Sequence, residues 1–356
     1  MKKHILVISQ YFYPEQFRIN DICTEWVKRG YKVTVVTGIP NYPEGRYHKG
    51  YGITKQRKSL YNGAEVIRIP LIPRGNNVVM LTLNYFSFVV SGFFWKTFSK
   101  VKADLVFNFE TSPMTQALPA VWYAKKHRIP FYLYVQDLWP ENVEIITGIK
   151  SRLIIGPIEK MVKRIYKNST KIFATSESFV KSIISRGVPE SKVEYLPQYA
   201  EDFYKPSDKK NTALIPDDDS FNIIFAGNIG QAQGLDILPK AAEIVKNKYT
   251  TGKIRYNIVG DGRFKEEFVK IVSSHNVDGL FNFIPRQPAE KIPSLMAACD
   301  AAFLSLSDSA IFEMTIPAKL QSYMACASAV IASAAGETKN IVETSGCGLC
   351  SPPGDE

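Results

Sequence analysis

The sequence has few of the residues that build metal or disulfide sites. Its four histidines are scattered, and among its five cysteines only Cys347 and Cys350 have the CxxC spacing, with no second pair or histidine nearby. Metal sites need several such ligands close together, so we expect neither a metal ion nor another cofactor. An odd number of scattered cysteines is typical of a reducing compartment, which predicts a cytoplasmic protein.

The sequence also lacks internal repeats, low-complexity tracts and a recognisable signal peptide. The first two absences exclude solenoid, fibrous and disordered chains. The apolar run near the N-terminus covers only residues 5–8, which is shorter than the apolar region of a signal peptide. It is therefore predicted to be the first strand of a globular domain.

Acidic residues are scarce in the first part of the chain. Residues 1–200 hold 29 basic and 14 acidic side chains, a net charge of +15, whereas residues 201–356 carry a net charge of −5. This excess predicts an anionic partner, either an anionic membrane surface or a phosphorylated substrate. Nucleic acid is a poor fit, because the basic residues are spread through an α/β pattern without a recognised nucleic-acid-binding module.

Short apolar runs alternate with amphipathic stretches through most of the 356 residues. Continuous apolar strands separated by helices indicate parallel sheets covered on both faces. The pattern breaks over residues 201–220, which are rich in Asp, Lys and Pro. We therefore predict an α/β protein with a doubly wound Rossmann-like domain over residues 1–200, a linker over 201–220 and a second Rossmann-like domain over 221–356. The ligand is expected in the cleft between the two domains.

Residues 78–98 differ from the other predicted helices. Fourteen of these 21 residues are apolar, six of them Phe or Trp, and Asn84, Ser87 and Ser91 form one narrow polar stripe. Basic residues lie on both sides of the segment. Three interpretations stay open: a membrane span, a buried core helix, and a helix that lies in the membrane interface.

Two glycine-rich turns follow predicted strands in the second half. The first contains Gly227, Gly230 and Gly234, and the second contains Gly260 and Gly262. Glycine lets a backbone approach a ligand closely, and a helix that begins after such a turn directs free N–H groups at a phosphate. Two such turns at successive strand ends predict a site for a nucleotide phosphate.

These turns belong to a longer series of motifs. The series includes FAGNIGQAQGLD from Phe225, VGDGR from Val259 and EMTIPAKLQSYMA from Glu313, with QYFYPE and VQDLWPE in the first half. In this order the motifs resemble the retaining GT-B glycosyltransferases of family 4, over essentially the whole chain. The chain is most similar to bacterial O-antigen and capsule amino-sugar transferases of the N-acetyl-fucosaminyl transferase type.

The resemblance implies roles for several residues of the second domain. Glu313 matches the glutamate that contacts the donor sugar, and Gln321 stands where relatives use a second glutamate on the ribose hydroxyls. Asn228 and Gln233 stand where relatives commonly place an Arg and a Lys on the donor diphosphate. A departing diphosphate develops negative charge, so another cation is expected there. The candidates are Lys319, Arg263 and Arg286, with Lys319 preferred because it is close in sequence to Glu313 and Gln321.

In the first domain Asp137 follows a strongly apolar strand, where related enzymes carry a polar residue that faces the reacting carbon. The other candidates for acceptor binding, which also follow predicted strands, are Glu15, Arg18, Asn41 and Glu110. Residues 217–219 are three consecutive aspartates that superficially match a metal-binding DxD motif. They lie in the charged linker, so we expect them to be solvated.

Together these features predict a metal-independent enzyme that moves an N-acetylated amino sugar from a UDP-sugar to a polyprenyl-diphosphate-linked acceptor. It is expected to act at the cytoplasmic face of the inner membrane as a peripheral protein of lipopolysaccharide or capsule biosynthesis. Two alternatives stay open: a nucleotide-sugar-binding scaffold without transferase activity, and a UDP-sugar epimerase of the same architecture. The resemblance also suggests that relatives continue beyond residues 346–356 with further helices, so the second domain is expected to be incomplete.

Overall fold

The structure is a computed structural model that describes residues 2–149, 151–208, 210, 213–216, 218–248 and 253–356. The chain divides into two compact units, Met1–Leu196 and Pro197–Glu356. Each unit is built around its own sheet. The units are called unit 1 and unit 2 below.

Unit 1 contains an eight-stranded sheet with the strand order β3-β4-β2-β1-β5-β6-β7-β8. The strands are β1 His4–Ile8, β2 Lys32–Gly38, β3 Lys58–Tyr61, β4 Ala64–Ile69, β5 Leu105–Glu110, β6 Phe131–Val135, β7 Lys171–Ala174 and β8 Val193–Tyr195. All neighbours pair in parallel except β3, which is antiparallel to β4. The sequence pattern did not predict β3, because this edge strand is short and largely solvent-facing and therefore has no apolar run.

The helices of unit 1 connect these strands. They are α1 Arg18–Lys28, α2 Val78–Phe98, α3 Ala117–His127, α4 Glu141–Thr147, α5 Arg152–Asn168 and α6 Glu177–Ser185. The sequence pattern missed α4 and predicted α5 over residues 158–166 only. α5 continues through Pro157, which lies inside the helix as its sixth residue and therefore leaves one backbone carbonyl group without its helical N–H donor.

The central strands of unit 1 are buried on both faces. All five residues of β1 are buried, and Ile5 and Val7 belong to a cluster with Ile19 and Cys23 of α1. Alternate residues of a strand point to opposite faces, so a strand covered on both faces is apolar at every position. This burial explains why the apolar runs of the sequence predicted the central strands correctly.

Unit 2 contains a six-stranded parallel sheet with the order β11-β10-β9-β12-β13-β14. The strands are β9 Ser220–Asn228, β10 Lys253–Asp261, β11 Phe281–Ile284, β12 Ala301–Ser305, β13 Ala329–Ser333 and β14 Gly348–Ser351. The helices are α7 Ile237–Lys248, α8 Lys265–Ser274, α9 Ile292–Met296, α10 Ala310–Glu313, α11 Ala318–Ala325 and α12 Gly336–Ser345. Separate apolar clusters cover the two faces of this sheet.

Part of the predicted linker packs on unit 2. Ile215 is buried in the apolar cluster that contains Ile224 and Leu320, and Leu214 packs against the same cluster. Asp218 and Asp219 are exposed, as predicted, and Asp218 accepts a hydrogen bond from the Arg255 guanidinium at 2.7 Å. Asp217 lies outside the described residues. Because the segment is rich in charged residues, the sequence pattern did not predict that Leu214 and Ile215 pack on unit 2.

α2 is not a core helix, because most of its apolar side chains are solvent-exposed. Its length and mean hydropathy of 1.6 are sufficient for a membrane span. However, β4 and β5, which precede and follow α2, belong to one sheet. A span would place these strands on opposite sides of a bilayer, so two of the three interpretations of residues 78–98 are excluded.

The polar stripe of α2 faces the body of unit 1. Asn84 donates to the Ile72 carbonyl oxygen at 2.6 Å and accepts from the Gln10 side chain at 2.7 Å. Ser87 accepts from the backbone N–H of Ile72 at 2.8 Å. These polar contacts, together with the buried Phe88, fix α2 to the protein, whereas most of its other apolar side chains are turned outwards.

Candidate functional site

The two glycine-rich loops lie side by side at the carboxyl edge of the sheet of unit 2. Gly227 at the end of β9 is in register with Gly260 of β10. A Cβ atom at Gly260 would lie 1.9 Å from the carbonyl oxygen of Gly227, and a Cβ atom at Gly262 would lie 2.1 Å from that of Ile229. Contact between the loops therefore requires Gly260 and Gly262, whether or not a ligand lies above them.

Lys319 extends from the first turn of α11 to the end of β9. A Cβ atom at Gly227 would lie 2.6 Å from Lys319 Cε, and Lys319 Nζ lies 3.7 Å from the centre of the Phe225 ring. Burial lowers the pKa of the Lys319 amine to about 7. No hydrogen bond or ion pair of this amine is found in the described part of the chain. The preferred replacement cation thus lies beside the first glycine-rich loop without an anionic partner.

Tyr323 holds α11 against β9. Its hydroxyl group accepts a hydrogen bond at 3.0 Å from the backbone N–H of Ala226. β12 pairs with β9 only at Ile223 and Ile224, so the strands separate towards their carboxyl ends and leave this N–H for a side chain. The separation gives α11 access to the loop, and it fixes the helix that carries Lys319 and Gln321.

The loop after β9 is closed by its own side chains. The backbone N–H of Gly230 donates to Gln233 Oε1 at 3.0 Å, and the Gln233 carbonyl oxygen accepts from Ser305 Oγ at 2.5 Å. Gly234 ends this turn in a left-handed conformation with φ +55°. Asn228 is exposed at the end of β9. Gln233 is therefore chiefly a loop-closing residue, whereas Asn228 is accessible to a ligand.

Glu313 and Gln321 stand at opposite ends of the segment that contains Lys319. Glu313 is the exposed last residue of α10, and its backbone packs so closely on Gly336 that a Cβ atom there would lie 2.0 Å from the Glu313 carbonyl oxygen. The Gln321 amide is assigned with its nitrogen towards the Pro317 and Ala318 carbonyl oxygens (3.1 and 3.2 Å). Its oxygen is then directed away from these acceptors and is suited to accept from a hydroxyl group.

The two other candidate cations, Arg263 and Arg286, are exposed on unit 2. Arg263 is exposed after β10 and lines a surface depression together with Lys265 and Glu266 of α8. Arg286 is exposed beyond β11, the edge strand, which lies two strands away from β9. Strands are about 4.8 Å apart, so Arg286 begins roughly 10 Å from the line of β9. Strand order thus separates Arg286 from Lys319, whereas Arg263 follows β10, the strand next to β9.

Glu15 and Asn41 support a loop of unit 1. Glu15 Oε1 accepts from the backbone N–H groups of Asn41 (2.8 Å) and Tyr42 (2.7 Å), immediately after β2. Burial raises the pKa of Glu15 to about 7, against the opposing effect of these N–H groups. Asn41 Oδ1 accepts from the backbone N–H of Arg74 at 2.9 Å. Both residues are buried and engaged internally, so the structure does not place them as acceptor ligands.

Glu110 is the last residue of β5, and Asp137 follows the neighbouring strand β6. Asp137 is half-buried, and its Oδ2 accepts from the backbone N–H of Ser112 at 2.7 Å. The Glu110 carboxyl group is fully buried, and neither oxygen has a hydrogen-bond partner in the described chain. Burial first, and then the Asp137 charge, raise the pKa of Glu110 well above its usual value. The neutral form of Glu110 is therefore favoured beside an accessible carboxylate.

Arg18 is buried at the start of α1. Burial raises the pKa of Tyr134 to about 12, and the nearby positive charge of Arg18 opposes this rise. Sequence reasoning missed Phe225, Tyr323, Arg74 and Tyr85. Phe225 and Tyr323 have no local signal, because their roles depend on contacts between distant segments. Arg74 had one signal, a basic residue directly before the apolar segment of residues 78–98.

Among the described residues no group of three or more His, Cys, Asp or Glu side chains is arranged to hold a metal ion. The cysteines are free thiols. The chemistry available in unit 2 is therefore that of a buried amine, an accessible amide and carboxylate, and backbone amides at strand ends. This set is suited to a phosphorylated ligand that also carries hydroxyl groups.

Comparison with known families defines the class of protein. A family model described as glycosyl transferase 4-like domain matches residues 16–198, and one described as glycosyl transferases group 1 matches residues 207–356. The chain belongs to this glycosyltransferase family, and its two Rossmann-like units have the GT-B architecture. The resemblance found in the sequence motifs is confirmed, and the protein is an enzyme of the glycosyltransferase type.

Individual relatives are distant. A candidate colanic acid biosynthesis glycosyl transferase of Escherichia coli K12, WcaI, is 24% identical over 98% of this chain and 88% of its own length. A candidate glycosyltransferase of Pseudomonas aeruginosa, WbjE, is 24% identical over 71% of this chain and 64% of its own length. Anabaena HepE, solved with UDP and glucose, is 16% identical and shares the fold over 99% of this chain and 86% of its own, with a TM-score of 0.70.

Proposed function

We propose that the protein is a retaining glycosyltransferase of bacterial surface-polysaccharide biosynthesis. It transfers a sugar, in our proposal an N-acetylated amino sugar, from a UDP-sugar to a polyprenyl-diphosphate-linked acceptor. The reaction takes place without a metal ion at the cytoplasmic face of the inner membrane. The names of the relatives WcaI and WbjE support the biosynthetic setting, and the solved complex of HepE with UDP supports the nucleotide.

The single observation that carries the proposal is the position of Lys319. Its amine is buried beside Gly227 and Phe225 and has no anionic partner in the described structure. A buried cation is stable only when an anion accompanies it, and the diphosphate of a nucleotide sugar supplies that anion. The relatives' usual cations are replaced here by Asn228 and Gln233, so Lys319 takes over their electrostatic role.

The neighbouring residues fit the rest of a nucleotide sugar. The Gln321 oxygen is directed away from the helix carbonyl groups and is suited to a ribose hydroxyl group. Glu313 is exposed at the end of α10, and the family resemblance assigns it to the donor sugar. Hydrogen bonds from hydroxyl groups to a carboxylate are stronger than those to a neutral acceptor, so Glu313 holds the sugar more tightly than an amide would.

The chemistry of a retaining transfer needs no strong protein base. The bond between the anomeric carbon and the diphosphate oxygen breaks, and UDP leaves with the electron pair. The acceptor oxygen forms the new bond from the same face, and its proton passes to the departing diphosphate oxygen. Lys319 stabilises the charge that develops on the diphosphate, and Asp137 orients the acceptor hydroxyl group.

Two properties of unit 1 support a membrane-bound acceptor. Residues 1–200 carry a net charge of +15, and a basic surface is attracted to anionic lipids. α2 exposes large apolar side chains, including Phe98 with 77% of its surface accessible. Exposed apolar area of this kind is stable in a membrane interface.

The test is incubation of the purified protein with a panel of UDP-sugars, with and without a bacterial lipid extract, in the presence of EDTA. Our proposal predicts release of UDP only when the lipid extract is present. Conversion of the sugar without acceptor would instead identify an epimerase, and binding without either reaction would identify a scaffold. Dependence on an added divalent metal would contradict the metal-independent mechanism.

A further inference from the structure

The side chain of Arg74 has no partner that explains its position in unit 1. The Arg74 backbone N–H donates to Asn41 Oδ1 at 2.9 Å, which fixes the main chain. The guanidinium carbon lies 5.2 Å from the centre of the Tyr42 ring. No hydrogen bond or ion pair of this guanidinium is present where the chain is described. A half-buried positive charge is thus held in a defined place with its N–H donors unused.

Tyr85 connects Arg74 to Asp137. It lies on α2 and is half-buried, and burial is the main cause of its raised pKa. The Arg74 guanidinium lowers this pKa, and the Asp137 carboxylate raises it, so both charges are close enough to act on the same hydroxyl group. Arg74 and the proposed acceptor-orienting residue therefore both lie within electrostatic range of Tyr85, and these three residues define one polar region of unit 1.

An apolar surface begins directly beside this region. α2 starts four residues after Arg74, and Asn77 caps it by accepting from the backbone N–H of Met80 at 2.8 Å. On its first turns Val79 and Phe86 expose 68% and 63% of their surfaces. A fixed cation next to an exposed apolar helix face is complementary to an amphiphile with an anionic head group.

We propose that Arg74 binds the phosphate of the lipid-linked acceptor. The hydrocarbon lies along the exposed face of α2, and the attached sugar extends past Tyr85 towards Asp137. Such an acceptor joins a hydrocarbon, a phosphate and a sugar, and unit 1 offers an exposed apolar helix, a cation and a carboxylate for these three groups. The inference rests on the proposed transferase function and assigns the residue that recognises the acceptor's phosphate.

The chemistry of Arg74 fits this role. A guanidinium group directs several N–H donors in one plane and bonds two phosphate oxygens at once, which an ammonium group does not. The Tyr42 ring supports the guanidinium by a cation–π contact and leaves its edges free for a ligand. Glu15, which lies in the same region, is engaged by two backbone N–H groups and does not neutralise Arg74.

Binding of a short prenyl diphosphate tests this inference. Affinities for farnesyl diphosphate, farnesol and inorganic diphosphate are measured by calorimetry, with and without saturating UDP. UDP occupies the site in unit 2, so the remaining binding reports unit 1. The variants are Arg74→Gln, which removes the charge, and Arg74→Lys, which keeps the charge but not the planar donors. Arg29→Gln is the matched control, because Arg29 is exposed at the far end of α1.

We expect the wild type to prefer farnesyl diphosphate to both other ligands in the presence of UDP. Arg74→Gln is expected to weaken this binding about ten- to a hundredfold, with a smaller loss in Arg74→Lys and none in Arg29→Gln. UDP affinity is expected to be unchanged in every variant, and an unchanged melting temperature confirms that unit 1 is folded. Equal affinity of Arg74→Gln and the wild type for farnesyl diphosphate, or equal binding of farnesol and farnesyl diphosphate, would overturn the inference. Failure of the wild type to bind UDP would contradict the proposed function instead, and the comparison without UDP would still decide the role of Arg74.

Discussion

The amine of Lys319 lies 3.7 Å from the centre of the Phe225 ring, beside Gly227, the last residue but one of β9. The aromatic face attracts the cation, but burial lowers the pKa of the amine to about 7. Burial therefore favours the neutral amine in the free protein, compared with an exposed lysine. An anion placed at this loop would reverse the balance and restore the charge.

We expect Lys319→Met to weaken UDP binding about ten- to a hundredfold, because the variant lacks the charge-assisted contact to the diphosphate. Calorimetric titration with UDP measures this loss. Arg263→Met and Arg286→Met are the matched controls, since both residues are exposed cations of unit 2. A larger loss in either control than in Lys319→Met would assign the diphosphate to another cation.

The same residue predicts how stability and affinity change with pH. Its pKa is about 7 in the folded protein and near 10.5 in the unfolded chain, so between these values the unfolded chain binds more protons. Stability is therefore expected to rise with pH across this window, and Lys319→Met to flatten the rise and to increase the melting temperature at pH 7. Affinity for UDP-glucose should fall as pH rises above 7. Melting curves and titrations at pH 6.5, 7.5 and 8.5 measure both trends, and an affinity that rises with pH would contradict this role.

Gly260→Ala is expected to destabilise unit 2 by at least about 2 kcal/mol, because the new Cβ atom would lie 1.9 Å from the Gly227 carbonyl oxygen. Gly279→Ala is the matched control, since no atom lies within 4 Å of a Cβ atom there. The control is expected to change stability by less than about 1 kcal/mol. Denaturant titrations of the two variants provide the comparison, and equal stabilities would mean that the loops are not in contact as described.

Glu110→Gln is expected to stabilise the protein at pH 8 and to have little effect near pH 4. Burial and the Asp137 charge raise the pKa of Glu110 in the folded state, so the folded protein holds a proton that the unfolded chain has released. Stability is then lost as pH rises above the unfolded pKa, and the neutral amide removes this loss. Unfolding by urea at the two pH values measures the difference. Glu190→Gln, at an exposed site, is the control, and an unchanged pH dependence in Glu110→Gln would contradict a protonated Glu110.

The double variant Phe94→Ser, Phe98→Ser is expected to bind phosphatidylglycerol vesicles more weakly than the wild type, without a lower melting temperature. Both side chains are largely exposed on α2, so their removal leaves no cavity in the protein but removes apolar area from the membrane contact. Vesicle co-sedimentation at low and high salt measures the effect. Leu349→Ser, an equally exposed site in unit 2, is the control. Failure of the wild-type protein to co-sediment with vesicles at either salt concentration would contradict membrane association.

Much of the second-unit site was predictable, because its residues are close in sequence. Gly227 and Gly260 are consecutive strand ends, and Glu313, Lys319 and Gln321 lie within one short segment. The polar residues of the first half were less predictable. Glu15 was interpreted as an acceptor ligand because it follows a strand, but its carboxylate binds the loop after β2. Position at a strand end does not indicate whether a side chain points to a ligand or to the next loop.

The amino-acid pattern alone determined the two parallel-sheet units, the glycine turns at their strand ends and the unusual composition of residues 78–98. These are properties of short segments, since periodicity and turn chemistry depend on neighbours in the chain. Tertiary structure decided that Lys319 rather than Arg286 reaches Gly227, that α2 turns its polar stripe inwards, and that Arg74 lies over Tyr42 near Tyr85. Each of these outcomes depends on strand order and on packing between residues far apart in the chain, where a small difference in contact decides which side chain is buried and which stays accessible.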